Sequence, residues 1–94
     1  MNLYEMLDRT RYNGRVYVVA LSKQEDEHFL FSGLVQDARE DNGIWNYLMH
    51  KIDSYYTYRD VIVIKIQTKD TWHSFWHKSI ETEIDELLEG KNEF

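Results

Sequence analysis

The chain has no cysteine, no proline and four scattered glycines. Without cysteine there are no disulfides and no thiolate zinc sites, a usage compatible with a reducing cytoplasm. Gly14, Gly33, Gly43 and Gly90 stand alone, each explained by a turn or a cap, so no glycine-rich loop cradles a phosphate. The opening Met1-Asn2-Leu3-Tyr4-Glu5 lacks the basic region and apolar run of a signal peptide. No apolar stretch approaches the ~18 residues of a membrane span. The expectation is a cytoplasmic protein with no membrane contact. Ser22, Ser32, Ser54, Ser74 and Ser79 have no nucleophile-elbow context, and the carboxylates lie in charge runs or turns. Nothing here points to an enzyme.

Positive charge is scarce too. Over its 94 residues the chain carries a net charge of −6. Four basic residues (Arg9, Arg11, Arg15, Lys23) stand against Glu5 and Asp8 in the first 24 residues. Glu81, Glu83, Asp85, Glu86, Glu89 and Glu93 crowd the end against Lys91 alone. An acidic surface repels phosphate, which disfavours direct nucleic-acid binding. It suits a partner with a basic surface instead, including a groove that otherwise holds nucleic acid. The plainer reading, that the acids solvate a helix face, stands beside it.

What is abundant is apolar and aromatic: 43% hydrophobic residues, with seven Tyr, four Phe and three Trp. That is enough for one packed domain over residues 1–94 and against disorder. Leu3, Met6 and Leu7 have helical spacing, ending before the Tyr12-Asn13-Gly14 turn. Arg15 to Leu21 and His28 to Phe31 read as a strand hairpin closed by Ser32-Gly33. Leu34 to Asp41 reads as a short helix stopped by Asn42-Gly43, and Ile44 to Met49 as a further turn presenting Trp45 and Leu48 inward. Lys51 to Thr57 reads as a third strand, and the run Val61 to Ile66 as a central one. A last helix, capped by Thr68 or Asp70, runs to about Leu88, with Gly90 as its stop. The predicted class is α+β: a small four-stranded, mostly antiparallel sheet with a short N-terminal helix, a central helix and a C-terminal amphipathic helix, packed on one face.

The last helix contains the one motif with chemistry, Asp70-Thr-Trp-His-Ser-Phe-Trp-His77. With Trp72 at zero, His73 falls near 100° and His77 near 140°, inside the stripe of Trp76, Ile80, Ile84, Leu87 and Leu88. Imidazoles at i and i+4 can converge on one ion, so His73 and His77 are candidate ligands of a structural zinc. Two more ligands would come from His28, His50 or carboxylates such as Glu27, Asp53 or Asp60, with Asp70 orienting His73. The alternative leaves both histidines neutral at the rim of the core. The spacing of H-E-x-x-H is present, but Ser74 stands where a peptidase needs its glutamate base, which removes that chemistry.

Phe75 falls on the polar side of the same helix, and alternation sends Tyr55 and Tyr56 to opposite sheet faces. At least two large aromatics are therefore expected at the surface, where they anchor protein contacts or self-association. The candidate partner-binding set is Phe75 with Glu81, Asp85, Glu86 and Glu89.

The layout resembles that of small proteins encoded in phages and prophages of Gram-positive bacteria. The residues that carry the resemblance are Met1 to Leu7, Arg15 to Val19 after the Tyr12-Asn13-Gly14 turn, Phe31-Ser32-Gly33 and the Val61 to Ile66 strand. Some proteins of that size and charge are similar to anti-CRISPR inhibitors. The resemblance implies a non-catalytic inhibitor that binds a CRISPR effector nuclease. It transfers no individual residue, because that group shares no motif.

Overall fold

The computed structural model describes residues 1–10, 14–24, 26–69 and 79–90. In order, the elements are α1 (Leu3–Arg9), β1 (Arg15–Leu21), β2 (Glu27–Leu34), α2 (Val35–Ala38), α3 (Asn42–Trp45), β3 (Ile52–Tyr58), β4 (Val61–Gln67) and α4 (Ile80–Leu88). The α+β class is as the sequence predicts.

Local chemistry explains most of the boundaries. Asn2 caps α1 in a capping box: its side chain accepts from the Glu5 N–H at 2.9 Å, and the Glu5 carboxylate accepts from the Asn2 N–H at 3.3 Å. Asn42-Gly43 does not close the central helix. It opens a second one, because the Asp41 side chain accepts from the Ile44 N–H at 3.2 Å and caps α3. The predicted helix is shorter, α2, and the further turn predicted from Ile44 is the helix α3, which starts two residues earlier at Asn42. Ile44, not Trp45, faces inward: Ile44 is buried and Trp45 is 64% exposed.

The C-terminal helix also starts later than its apolar pattern implies. Ser79 has extended backbone (φ −62°, ψ 152°), and its hydroxyl accepts from the Thr82 N–H at 3.2 Å. That cap begins α4 at Ile80, so no uninterrupted helix joins Thr68 or Asp70 to Leu88. Gly90, at φ +73°, ends it as predicted.

The strand order is β2-β1-β4-β3. Both outer pairings are antiparallel, and the central β1–β4 pairing is parallel. Two hairpins lie side by side, and the passage from β2 to β3 through α2 and α3 crosses the sheet. The central strands are covered on both faces, which is why they are largely apolar. Val16, Val18, Ala20, Ile64 and Ile66 pack with Leu3, Leu7, Val35, Ala38 and Ile44. Tyr17, Val19, Val61 and Val63 pack with Ile80 and Ile84. The helices therefore occupy two faces, not one. The reason lies in β1, whose five consecutive buried residues, Val16–Ala20, point alternately to opposite sides.

Candidate functional site

The seam between α4 and the sheet combines the chain's acids with its tyrosines. Ile80, Ile84, Leu87 and Leu88 form the apolar stripe of α4, seated on Tyr17, Val19, Val61 and Val63. Tyrosine hydroxyls flank this stripe on both sides. Tyr17 donates to Glu83, Tyr56 to Glu81 at 3.0 Å, and Tyr58 to both carboxylate oxygens of Asp85 at 3.0 Å. Arg59 Nη1 donates to the same Asp85 at 2.8 Å.

Two periods match to make this possible. Glu81 and Asp85, four apart on a helix, are separated by about 6 Å along its axis. Tyr56 and Tyr58, two apart on a strand face, are about 6.6 Å apart. A helix lying along β3 in the same direction can therefore pair both, and it does. Glu81 and Glu83 also sit in the first turn of α4, where the helix dipole favours negative charge.

These contacts tune the groups that make them. Burial, and then the bond to Glu83, push the Tyr17 hydroxyl far above its ordinary range. Burial and the Glu81 bond push Tyr56 up to about 12. Tyr58 is raised mainly by its bond to Asp85. The Asp85 carboxyl is lowered, chiefly by Arg59. At neutral pH the three tyrosines are protonated donors and Asp85 is an anion: this arrangement holds charge in place. Behind the seam, Lys65 pairs with Glu27 at 3.7 Å and stands 5.9 Å from the centre of the Tyr56 ring.

No known protein family matches the chain, and no curated protein or solved structure resembles it significantly. The site must be read from its own geometry.

Of the predicted site residues, His73, His77 and Phe75 lie outside the described residues. Among the described residues no group of three or more His, Asp and Glu is placed to hold a metal. His28 lies on β2, opposite Ala20, at one edge of the sheet. His50 precedes β3 at the other edge, its Nδ1 3.0 Å from the Gln67 carbonyl oxygen. Ala20 and Ile66, both fully buried, stand between those edges. Three strand spacings come to roughly 14 Å, so a set containing both His28 and His50 does not fit one zinc ion. The angular layout that put His73 and His77 in line with Ile80 and Ile84 runs through Ser79, whose backbone is extended, and both histidines lie outside the described residues.

The predicted partner-binding acids divide into two groups. Glu81 and Asp85 hold Tyr56 and Tyr58, while Glu86 is partly buried and Glu89 exposed on α4. The sequence reading missed the tyrosine partners, although the paired spacings 56/58 and 81/85 were there to be compared.

The surface holds a second feature. Among the described residues, six large apolar side chains are exposed: Met1, Tyr4, Phe29, Trp45, Met49 and Tyr55. Tyr55 and Tyr56 do take opposite faces, as alternation requires. Met1, Tyr4, Trp45 and Met49 come from two segments that the backbone ties together. Ile52 donates to the Met1 carbonyl at 3.1 Å, Leu3 to His50 at 3.0 Å and Tyr4 to Leu48 at 2.8 Å. No helix among the described residues is long and apolar enough to cross a membrane.

Proposed function

We propose that the chain is a non-enzymatic binding protein that occupies a protein with a basic, nucleic-acid-handling surface. The observation that carries this reading is the acidic flank of α4, where hydroxyls and Arg59 hold Glu81 and Asp85 in fixed positions. Charges held in place before contact lose less conformational freedom on binding than mobile ones. Exposed Trp45, Tyr4, Met1 and Met49 supply the residue types that interfaces favour. The narrower form follows the resemblance to phage and prophage proteins: an anti-CRISPR inhibitor acting in the host cytoplasm on a CRISPR effector nuclease.

The test uses Glu86→Lys with Glu89→Lys, two acids other than those that accept from Tyr56 and Tyr58, with a melting curve to check that α4 keeps its place. Binding to a purified effector–guide complex is measured by co-migration in low salt, with and without target DNA. The reading expects co-migration that target DNA competes away and that the double reversal weakens at least tenfold. Unchanged co-migration after the reversal would sink the electrostatic reading. Absence of co-migration with effectors of several types would remove the narrower form. The broader form is then tested by heparin elution of any captured protein, since a polyanion should displace this chain from a basic groove. The zinc alternative is separate: metal analysis of protein purified without a metal column decides it.

A further inference from the structure

We infer that the outer edge of β3 receives an extended, basic segment of the partner as a fifth strand. This inference rests on the proposed function and says how the basic partner is held.

The backbone argument starts at the turn. Arg59 and Asp60 have φ of 50° and 64° and join β3 to β4 as a two-residue turn with both φ positive. In such a hairpin the flanking residues Tyr58 and Val61 form a hydrogen-bonded pair, and so do Tyr56 with Val63 and Ser54 with Lys65. Tyr55 and Thr57 therefore turn their N–H and C=O groups away from β4. Both residues are exposed, and among the described residues no backbone group bonds to them. An edge is ordinarily blunted by lysine, proline or a mid-strand bulge. Between Asp53 and Tyr58 there is neither lysine nor proline, and the register shift lies at the start, between Ile52 and Ser54. The first residues of β3 already pair on this outer side: Ile52 donates to Met1, and Asn2 bridges Lys51 in antiparallel fashion.

The charge around this edge selects a basic occupant. On the α4 side of the edge stand Glu81 and Asp85, held by Tyr56 and Tyr58. Asp53 lies at one end and Asp60 at the other, with Glu89 acting on Arg59. The cations are Arg59, engaged by Asp85, Lys65 beside Tyr56, paired with Glu27, and Lys51 at the start. Side chains of an added strand recur on one face every ~6.6 Å, close to the ~6 Å that separates Glu81 from Asp85 along α4. Lysine or arginine at alternate positions would face those acids. The residues between would cover the exposed Tyr55 ring. Pairing through the backbone with alternate side chains read by pockets or charge is the recognised mode of strand addition.

The test uses the full chain and a synthetic peptide of about eight residues that alternates lysine with valine or threonine. Amide exchange at Tyr55 and Thr57 is followed by NMR, expecting at least tenfold slowing when peptide is bound. N-methylation of alternate peptide amides should abolish both protection and binding, and a glutamate-for-lysine peptide should not bind. Thr57→Pro removes one outward donor at an edge position that tolerates proline. It should weaken binding tenfold or more while the melting curve shows an intact fold. The inference is overturned if the peptide does not bind, if methylated and plain peptides bind alike, or if Tyr55 and Thr57 are already protected in a dimer of the free protein. A partner that still answers to Glu86→Lys and Glu89→Lys while the β3 amides stay unprotected would leave the proposed function standing and remove the strand. A partner indifferent to those reversals would remove the proposed function itself.

Discussion

The two faces of the sheet are built from the same four strands by different chemistry. Under α1, α2 and α3 the contact is entirely apolar at its centre, from Leu3 and Leu7 to Ile64 and Ile66, all at most 1% exposed. Under α4 the apolar contact is narrower, and a fringe of tyrosine–carboxylate bonds completes it. Burial of apolar area has no direction, so the first face tolerates sliding until side chains interlock. Hydrogen bonds have direction, so the second face fixes the position of α4 along β3. One face supplies mass and the other alignment, and the charged helix sits on the aligned one.

The comparison breaks most sharply if truncations on the two faces cost the same. Ile64→Ala should cost about 3–4 kcal/mol in urea unfolding, and Ile84→Ala, beneath the narrower contact, about 2–3 kcal/mol. Equal losses would mean that α4 is as deeply packed as the opposite face.

Tyr17→Phe should cost about 1–2 kcal/mol, because Glu83 loses its donor in a partly buried place. A change below a few tenths of a kcal/mol would show that the fringe aligns α4 without stabilising it.

pH probes the fringe as a whole. Tyr17 and Tyr56 titrate higher folded than the ordinary value of about 10 for an unfolded tyrosine. The stability they contribute is complete below pH ~10 and is lost as pH climbs through about 12, the folded value of Tyr56. Urea midpoints should therefore fall between pH 10 and 12, and less steeply in Tyr17→Phe. Asp85, lowered by Arg59, works in the opposite sense: its contribution is present above ordinary carboxylate values and disappears as acid protonates it.

The turn beneath the α4 face gives a smaller, opposite change. Asp60 occupies a left-handed conformation at φ 64°, so Asp60→Gly should stabilise by up to about 1 kcal/mol. Smallest of all on stability is Trp45→Ser, within about 0.5 kcal/mol for an exposed side chain. A larger loss would place Trp45 in the fold and not at an interface.

How much of this was legible depends on which signal each element sends. The strand Arg15–Leu21 was read at its exact bounds, since β-branched residues and a flanking glycine all agree. The central place of β4 followed from the mainly apolar run Val61–Ile66. The site was less legible. The acids of α4 were visible, but their role as tyrosine acceptors needed the 56/58 and 81/85 spacings to be set against each other, and only a fold does that. The capping role of Asp41 and the late start at Ser79 escaped because a polar residue that stops one helix and one that caps the next are the same kinds of residue.

Readable along the chain were the α+β class, the central apolar strands, the excess of acid at the C-terminal end and the opposite facing of Tyr55 and Tyr56. All of these follow from the local period of side chains along a chain. Only the tertiary structure decided that β1 and β4 run parallel, that helices cover both faces, that His28 and His50 stand at opposite edges, and that α4 aligns its acids with the tyrosines of β3. Those relations join residues far apart in sequence, and no local period carries them.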